Sequence, residues 1–200
     1  MTGRFIVFEG GEACGKSTQA RLLALRLDAR LTYQPGGTDL GMAIRNIVLD
    51  PANTSIDARA EALLIAADKA QHVAQVVRPA LEVGDVVCDR YVASSIVYQG
   101  FGRGIDLDEL DTLLRFATGG LEPDLTLLLE APAALVEERL GTQRDRFESE
   151  PGAFHERVRD GYRALAAADP TRWAVIDGSG SIEDVAKKVD DAIRARFGSS

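Results

Sequence analysis

The sequence is sparing in several respects, and each scarcity excludes a class of protein. It holds two cysteines, Cys14 and Cys88, in 200 residues. A disulfide-stapled scaffold is therefore excluded, and two isolated thiols do not make a zinc site. No apolar run approaches the roughly 18 residues that a membrane-spanning helix requires. Arg4 and Glu9 interrupt the apolar start, which removes a signal-peptide pattern and makes the cytoplasm the expected location. Positive charge is also short: 23 Lys and Arg stand against 31 Asp and Glu, a net charge of −8. That balance argues against a general nucleic-acid-binding surface, while leaving room for a local basic pocket around a small phosphate ligand. There is no internal repeat, no low-complexity segment and no linker, and no Asn-Lys-x-Asp stretch of the kind that reads guanine in nucleotide switches. What remains is 46% hydrophobic and 27% charged, ordinary for one soluble domain with a sizeable core.

The most informative stretch runs from Phe5 to Ser17. Phe5-Ile6-Val7-Phe8 reads as a buried parallel strand, and Gly10 to Ser17 has the spacing G-x-x-x-x-G-K-S. Thr18 to Leu25 follows with helical composition. Glycines let backbone wrap a phosphate without Cβ clashes, inward N–H groups form an anion nest, and the helix start adds its positive dipole end. In that context Lys16 is expected to reach the β- and γ-phosphates and Ser17 to ligate Mg²⁺. The motif implies a nucleoside triphosphate without specifying a reaction.

Along the chain, 29–33 reads as a short second strand, and the apolar runs at 86–88, 125–129 and 173–176 read as further strands. They alternate with helical stretches at 40–49, 57–83, 92–99, 107–116, 132–140, 154–168 and 182–197, with Pro79 expected to kink the long one. Alternation of this kind implies βαβ crossovers and an α/β fold: a three-layer α/β/α phosphate-loop domain over residues 1–200, with a five-stranded parallel sheet and a short mobile lid at about 141–151. Ligands of such sheets bind beyond the carboxyl ends of the strands. The conspicuous polar residues fall there: the phosphate loop, Gln34 to Thr38, Asp89-Arg90, Glu130 and Asp177.

Asp89 closes the third strand, where it is either a helix cap or a second Mg²⁺ ligand beside Ser17; the nearby phosphate loop favours the metal. Arg90 is placed to clamp an acceptor phosphate with its planar fork, and Arg45 is a weaker candidate for the same task. Arg144 and Arg146 sit in a Gly- and Pro-bounded charged stretch. They read either as solvated surface or as the positive charge that phosphoryl transfer needs. Ser95 and Gln99 are one helical turn apart, so a hydroxyl and an amide share a face that can read a base edge, with Tyr98 beside a sugar.

The combination resembles the bacterial thymidylate kinases over nearly the whole chain. The matching stretches are Phe5 to Gln19, Pro35 to Thr38 with Leu40, Gly41 and Arg45, Ala66 to His72, Asp89 to Tyr91 with Ser94 and Ser95, Tyr98 to Gly104, Pro123 to Leu129, and Asp145 to Glu148. The resemblance implies transfer of the ATP γ-phosphoryl group to dTMP, giving dTDP for dTTP synthesis, with Mg²⁺ accompanying ATP. It implies that Gly10, Gly11, Glu12, Ala13, Cys14, Gly15, Lys16, Ser17 and Thr18 hold the ATP phosphates. Glu12 would position the acceptor and its arginine, Arg90 would grip the dTMP phosphate, and Ser95, Tyr98 and Gln99 would line the thymidine pocket. Because the loop carries no arginine, the charge-stabilising one is expected from the lid, Arg144 or Arg146. A homodimer is also implied, with the Ala-rich helix from Ala58 to Val77 as its face.

Three positions depart from the family pattern. Gln34 stands where a glutamate is usual, Lys69 where an arginine is usual, and Ile65 where an aromatic ring commonly stacks on thymine. All three belong to the acceptor side with Arg45. They make weaker or broader acceptor selection, or a nucleotide-binding paralogue with little turnover, the alternative expectations.

Overall fold

The computed structural model describes residues 3–139 and 144–198. Part of the expected lid, residues 141–143, lies outside the described residues.

Five strands form one parallel sheet in the order β2-β3-β1-β4-β5. They are β1 (Phe5–Glu9), β2 (Arg30–Tyr33), β3 (Val86–Asp89), β4 (Leu125–Glu130) and β5 (Trp173–Asp177). Strand β1 lies at the centre because every one of its residues is apolar enough, or well enough bonded, to be buried. Its side chains alternate between faces. Ile6 and Phe8 pack with Leu23 and Val189, whereas Phe5 and Val7 pack with Val73, Val77 and Leu81. Helices therefore cover both faces, as a parallel sheet requires.

The helices are α1 (Lys16–Leu27), α2 (Asp39–Leu49), α3 (Ala58–His72), α4 (Arg78–Val83), α5 (Val92–Ser95), α6 (Leu107–Thr118), α7 (Ala133–Arg139), α8 (Gly152–Ala168) and α9 (Ile182–Phe197). Helix starts follow local chemistry: Thr38 accepts a hydrogen bond from Gly41 N at 3.0 Å, and Ser181 accepts one from Asp184 N at 3.2 Å. The long helical stretch expected at 57–83 is continuous, but its irregularity precedes Pro79. A wider π-type segment, Val73–Val77, joins α3 to α4, with Pro79 in the first turn of α4. Proline lacks an N–H, and the first turn of a helix is where that donor is not needed. The helix expected at 92–99 likewise widens into a π-type segment, Ile96–Gly102, which carries Tyr98 and Gln99.

The chain leaves β1 toward β2 and β3 on one side and reaches β4 and β5 on the other. The carboxyl end of β1 is thus the switch point at which an open α/β sheet presents a crevice.

Candidate functional site

A cavity of about 700 Å³ opens at that switch point. One wall is the phosphate loop. Gly10 sits at φ 140°, and a Cβ there would lie 2.3 Å from the Leu129 carbonyl oxygen, so the close approach of loop to β4 requires glycine. Gly15, at φ 100°, delivers the chain into α1. The Lys16 ammonium donates back to the Gly11 carbonyl and lies 3.6 Å from Cys14 Sγ. Cys14 is buried beneath the loop rather than exposed in it. Residues Glu12 to Thr18 line the cavity, whereas Gly10 and Gly11 shape the turn behind it.

Asp89, at the end of β3, meets Ser17 as expected: Ser17 Oγ donates to its Oδ2 at 2.5 Å. Its other oxygen, Oδ1, is buried without a partner. A hydroxyl beside a carboxylate with one unfilled oxygen is a donor set that fits a hard cation such as Mg²⁺. Among the described residues, no group of three or more His, Cys, Asp or Glu side chains is arranged to hold a metal alone. Such a cation would therefore share this pair with phosphate oxygens.

The opposite wall is organised by Arg90, whose backbone adopts φ 70°. A side chain in that left-handed region costs roughly 1–2 kcal/mol, and such strain concentrates at functional sites. The guanidinium repays it with contacts. Nη2 donates to Glu12 Oε1 at 2.7 Å, while Nη1 donates to the Gly10 carbonyl at 3.1 Å, Ser94 Oγ at 3.2 Å and Tyr162 Oη at 3.3 Å. Tyr98 Oη also donates to Glu12 Oε1, at 2.6 Å. Burial alone would raise the Glu12 pKa, but the Arg90 and Lys16 cations outweigh it and hold the carboxyl at about 2. Beneath them lies Glu9, fully buried, which accepts from Ser94 Oγ at 2.6 Å, Tyr162 Oη at 3.0 Å and the Tyr91 N–H at 2.8 Å.

Gln34, Arg45, Ile65, Lys69, Arg90, Ser95, Tyr98 and Gln99 all line the cavity, so every residue expected on the acceptor side converges there. Two of the three departures, Gln34 and Lys69, are built into one buried chain. Lys69 Nζ donates to Gln34 Oε1 at 2.8 Å and to the Tyr91 carbonyl at 2.9 Å. Since ammonium only donates, Gln34 must turn its Nε2 to His72 Nδ1, 2.7 Å away. His72 then carries its proton on Nε2, facing Thr32 Oγ1 at 2.6 Å. Burial, with Lys69 nearby, pushes the His72 pKa down to about 4, so the ring is neutral at physiological pH. Burial also lowers the Lys69 ammonium below its usual range, partly offset by Asp68.

The two arginines expected at the transferring phosphate are placed differently. Arg146 is buried away from the phosphate loop: Nε donates to the Val48 carbonyl at 2.7 Å and Nη2 to Glu61 Oε2 at 2.5 Å. It does not line the cavity, because a buried carboxylate and a helix-end carbonyl already hold its fork. Arg144 is exposed and donates to Glu137 Oε2 at 2.8 Å. The arginine brought to the loop is Arg139, at the end of α7, which lines the cavity with Nη1 3.5 Å from the Ala13 carbonyl. Sequence reasoning passed over it inside an ordinary helix, and passed over Tyr162 and Glu61 for the same reason. Glu9 carried a readable signal, as a carboxylate ending an otherwise apolar strand.

A model of the thymidylate kinase family matches residues 8–189. A thymidylate kinase of Geobacter sp. (strain M21) is 46% identical over 98% of this chain and 93% of its own. One from Desulfovibrio desulfuricans is 48% identical over 96% of this chain and 95% of its own. Among solved structures, the thymidylate kinase of Ehrlichia chaffeensis superposes with a TM-score of 0.80 at 29% identity, covering 96% of this chain and all of that one.

Proposed function

The chain belongs to the thymidylate kinase family, and from that membership we propose that it transfers the γ-phosphoryl group of ATP to dTMP, giving dTDP. The observation that carries the reading is that Lys16 of the phosphate loop and Arg90, bound to Glu12 of the same loop, line one cavity, so donor and acceptor phosphates have cationic ends in the same space. Lys16 and the loop N–H groups bind the donor phosphates. Arg90 binds the acceptor phosphate, oriented by Glu12, which stays ionised throughout the neutral range. Tyr98, whose phenol is pushed above its usual range by burial, remains a hydrogen-bond donor to Glu12. Ser17 and Asp89 would hold Mg²⁺, which would supply neutralisation of charge on the phosphate oxygens. Arg45, Gln34, Lys69, Ile65, Ser95 and Gln99 surround the nucleoside.

Arg139 is the arginine we assign to the transferring phosphate, since it alone of Arg139, Arg144 and Arg146 lines the cavity. Replacing each by Ala is expected to lower kcat about a hundredfold or more at Arg139 and far less at Arg144, in line with the cost of removing one preorganised charge donor. Arg146→Ala is expected to act on thermal stability, because it leaves Glu61 buried with one cation fewer. Equal kcat losses at all three would remove the assignment.

Lys69 supports a second reading, broadened acceptor choice. Its ammonium is committed to Gln34 and the Tyr91 carbonyl and lacks the planar fork an arginine would offer a base. An ADP-release assay across dTMP, dUMP, dCMP and dGMP separates the two. Turnover with dTMP far above all others removes the broadened reading, and no turnover with any of them removes both.

A further inference from the structure

Glu61 lies in α3, is fully buried, and takes no part in the phosphate chemistry. Three side chains converge on its carboxylate. Arg146 Nη2 donates to Oε2 at 2.5 Å, Arg103 Nε reaches both oxygens at 3.3 Å, and Gln99 Nε2 donates to Oε1 at 2.9 Å. Guanidinium groups only donate, and a carboxylate only accepts. The Gln99 amide therefore has one permitted orientation at this contact, with its NH₂ toward Glu61. Its carbonyl oxygen is left over. Among the described residues no donor reaches Gln99 Oε1, and Gln99 lines the acceptor side of the cavity together with Ser95, whose buried hydroxyl has no partner. A hydroxyl can donate or accept and so imposes no choice on a ligand; a locked carbonyl imposes one.

We propose that Glu61, clamped by Arg103 and Arg146, is a positioning residue that locks the Gln99 amide with its oxygen toward the acceptor, restricting the base to one with a ring N–H donor. Thymine and uracil carry that N–H at N3; cytosine presents a lone pair there. The proposal rests on the nucleoside-monophosphate kinase reading of the cavity and adds to it a source of base discrimination that does not touch the substrate. It also gives the Arg146 fork a role, since a residue of the expected lid thereby holds the base-reading amide in place.

The near-isosteric Glu61→Gln variant inverts the lock. Arg146 and Arg103 claim the new side chain's oxygen, its NH₂ faces Gln99, and the Gln99 amide must turn over to accept. The flipped NH₂ then faces the base. The kcat/KM ratio of dTMP to dCMP is expected to fall by about tenfold or more, because the flipped amide leaves the thymine N3–H and the Gln99 NH₂ facing each other as mismatched donors. The KM for ATP stays within about threefold, since the phosphate loop is untouched. A merely structural Glu61 would lower activity on both nucleotides alike, and an unchanged ratio overturns the proposal. Wild-type turnover of dTMP with an unchanged ratio in Glu61→Gln defeats this inference and leaves the kinase reading intact; absence of wild-type turnover defeats that reading first. A measurement on the wild-type protein needs neither turnover nor a folded variant. The Gln99 side-chain N–H protons, held by Glu61, are expected to exchange slowly with solvent in the free enzyme, and fast exchange overturns the lock.

Discussion

A single carboxylate, Glu12, shows how one position inside the phosphate loop serves two substrates. It faces Lys16 on the donor side and Arg90 and Tyr98 on the acceptor side, and the two cations hold its pKa near 2 against the usual 4.5. A folded-state pKa below the unfolded one means that the native state binds fewer protons. Its contribution to stability is therefore complete above about 4.5 and is lost as pH falls from 4.5 toward 2. Buried His72 acts in the same direction over a higher window, from 6.5 down to about 4. Comparison with Glu12→Gln isolates the first group. The stability gap between wild type and variant, read by urea unfolding, is expected to be flat at neutral pH and to narrow below pH 4.5. A gap that does not change with pH would mean that Glu12 is not held by those cations. Of the residues that sequence reading named on this wall, Gln34 and Arg90 stand just after strand ends, whereas Arg45, Ile65, Lys69, Ser95, Tyr98 and Gln99 lie on helical segments and were reached through helical spacing or the family resemblance. Glu61 was not, because its partners Gln99 and Arg146 are 38 and 85 positions away and meet it only once α3 packs beneath the cavity.

At the level of elements, all five strands were legible: β1, β3, β4 and β5 are short apolar runs bounded by turn residues, and the edge strand β2 (Arg30–Tyr33) is marked by the Pro-Gly-Gly turn that follows it. The two π-type segments were not. No residue type marks them; Ile96–Gly102 lies where α8 packs against it. Gly161 of α8 is the contact point, for a Cβ there would lie 2.8 Å from the Phe101 ring and 3.1 Å from Val97. Gly161→Ala sets two effects against each other. Helix propensity gains about 1 kcal/mol, while overpacking a rigid ring costs about 1–3 kcal/mol. Phe101 and Val97 belong to the segment that carries Tyr98 and Gln99, so relief by movement would displace the acceptor wall. The net expectation is a loss of stability of up to about 2 kcal/mol with a raised KM for dTMP and little change for ATP. A stabilised variant with unaltered KM would show that α8 yields instead.

Across the whole molecule, α3 presents two unlike faces. Inward it buries Glu61, Ile65, Asp68, Lys69 and His72, the side chains that shape the acceptor wall. Outward, Ala60, Leu63, Ala67, Ala70 and, just beyond the helix, Ala74 form an exposed stripe without a charge, in which Leu63 is 58% exposed. Apolar positions alternating three and four apart are the seam along which helices pair, and small side chains let two backbones approach closely. Phe116, on the neighbouring helix α6, adds a large exposed ring at 88%. We propose that this stripe is covered by a second copy of the chain. Light scattering is expected to give the mass of a dimer at about micromolar concentration, in the range where such interfaces are stable. Ala67→Arg is expected to give a monomer that still folds, because Ala67 is exposed within one protomer. The same helix then links assembly to the site: loss of the partner would loosen α3, and with it Lys69 and Glu61, so the monomer is expected to bind dTMP more weakly than ATP is affected. A wild-type monomer, or a dimer unmoved by Ala67→Arg, would place the partner elsewhere or nowhere.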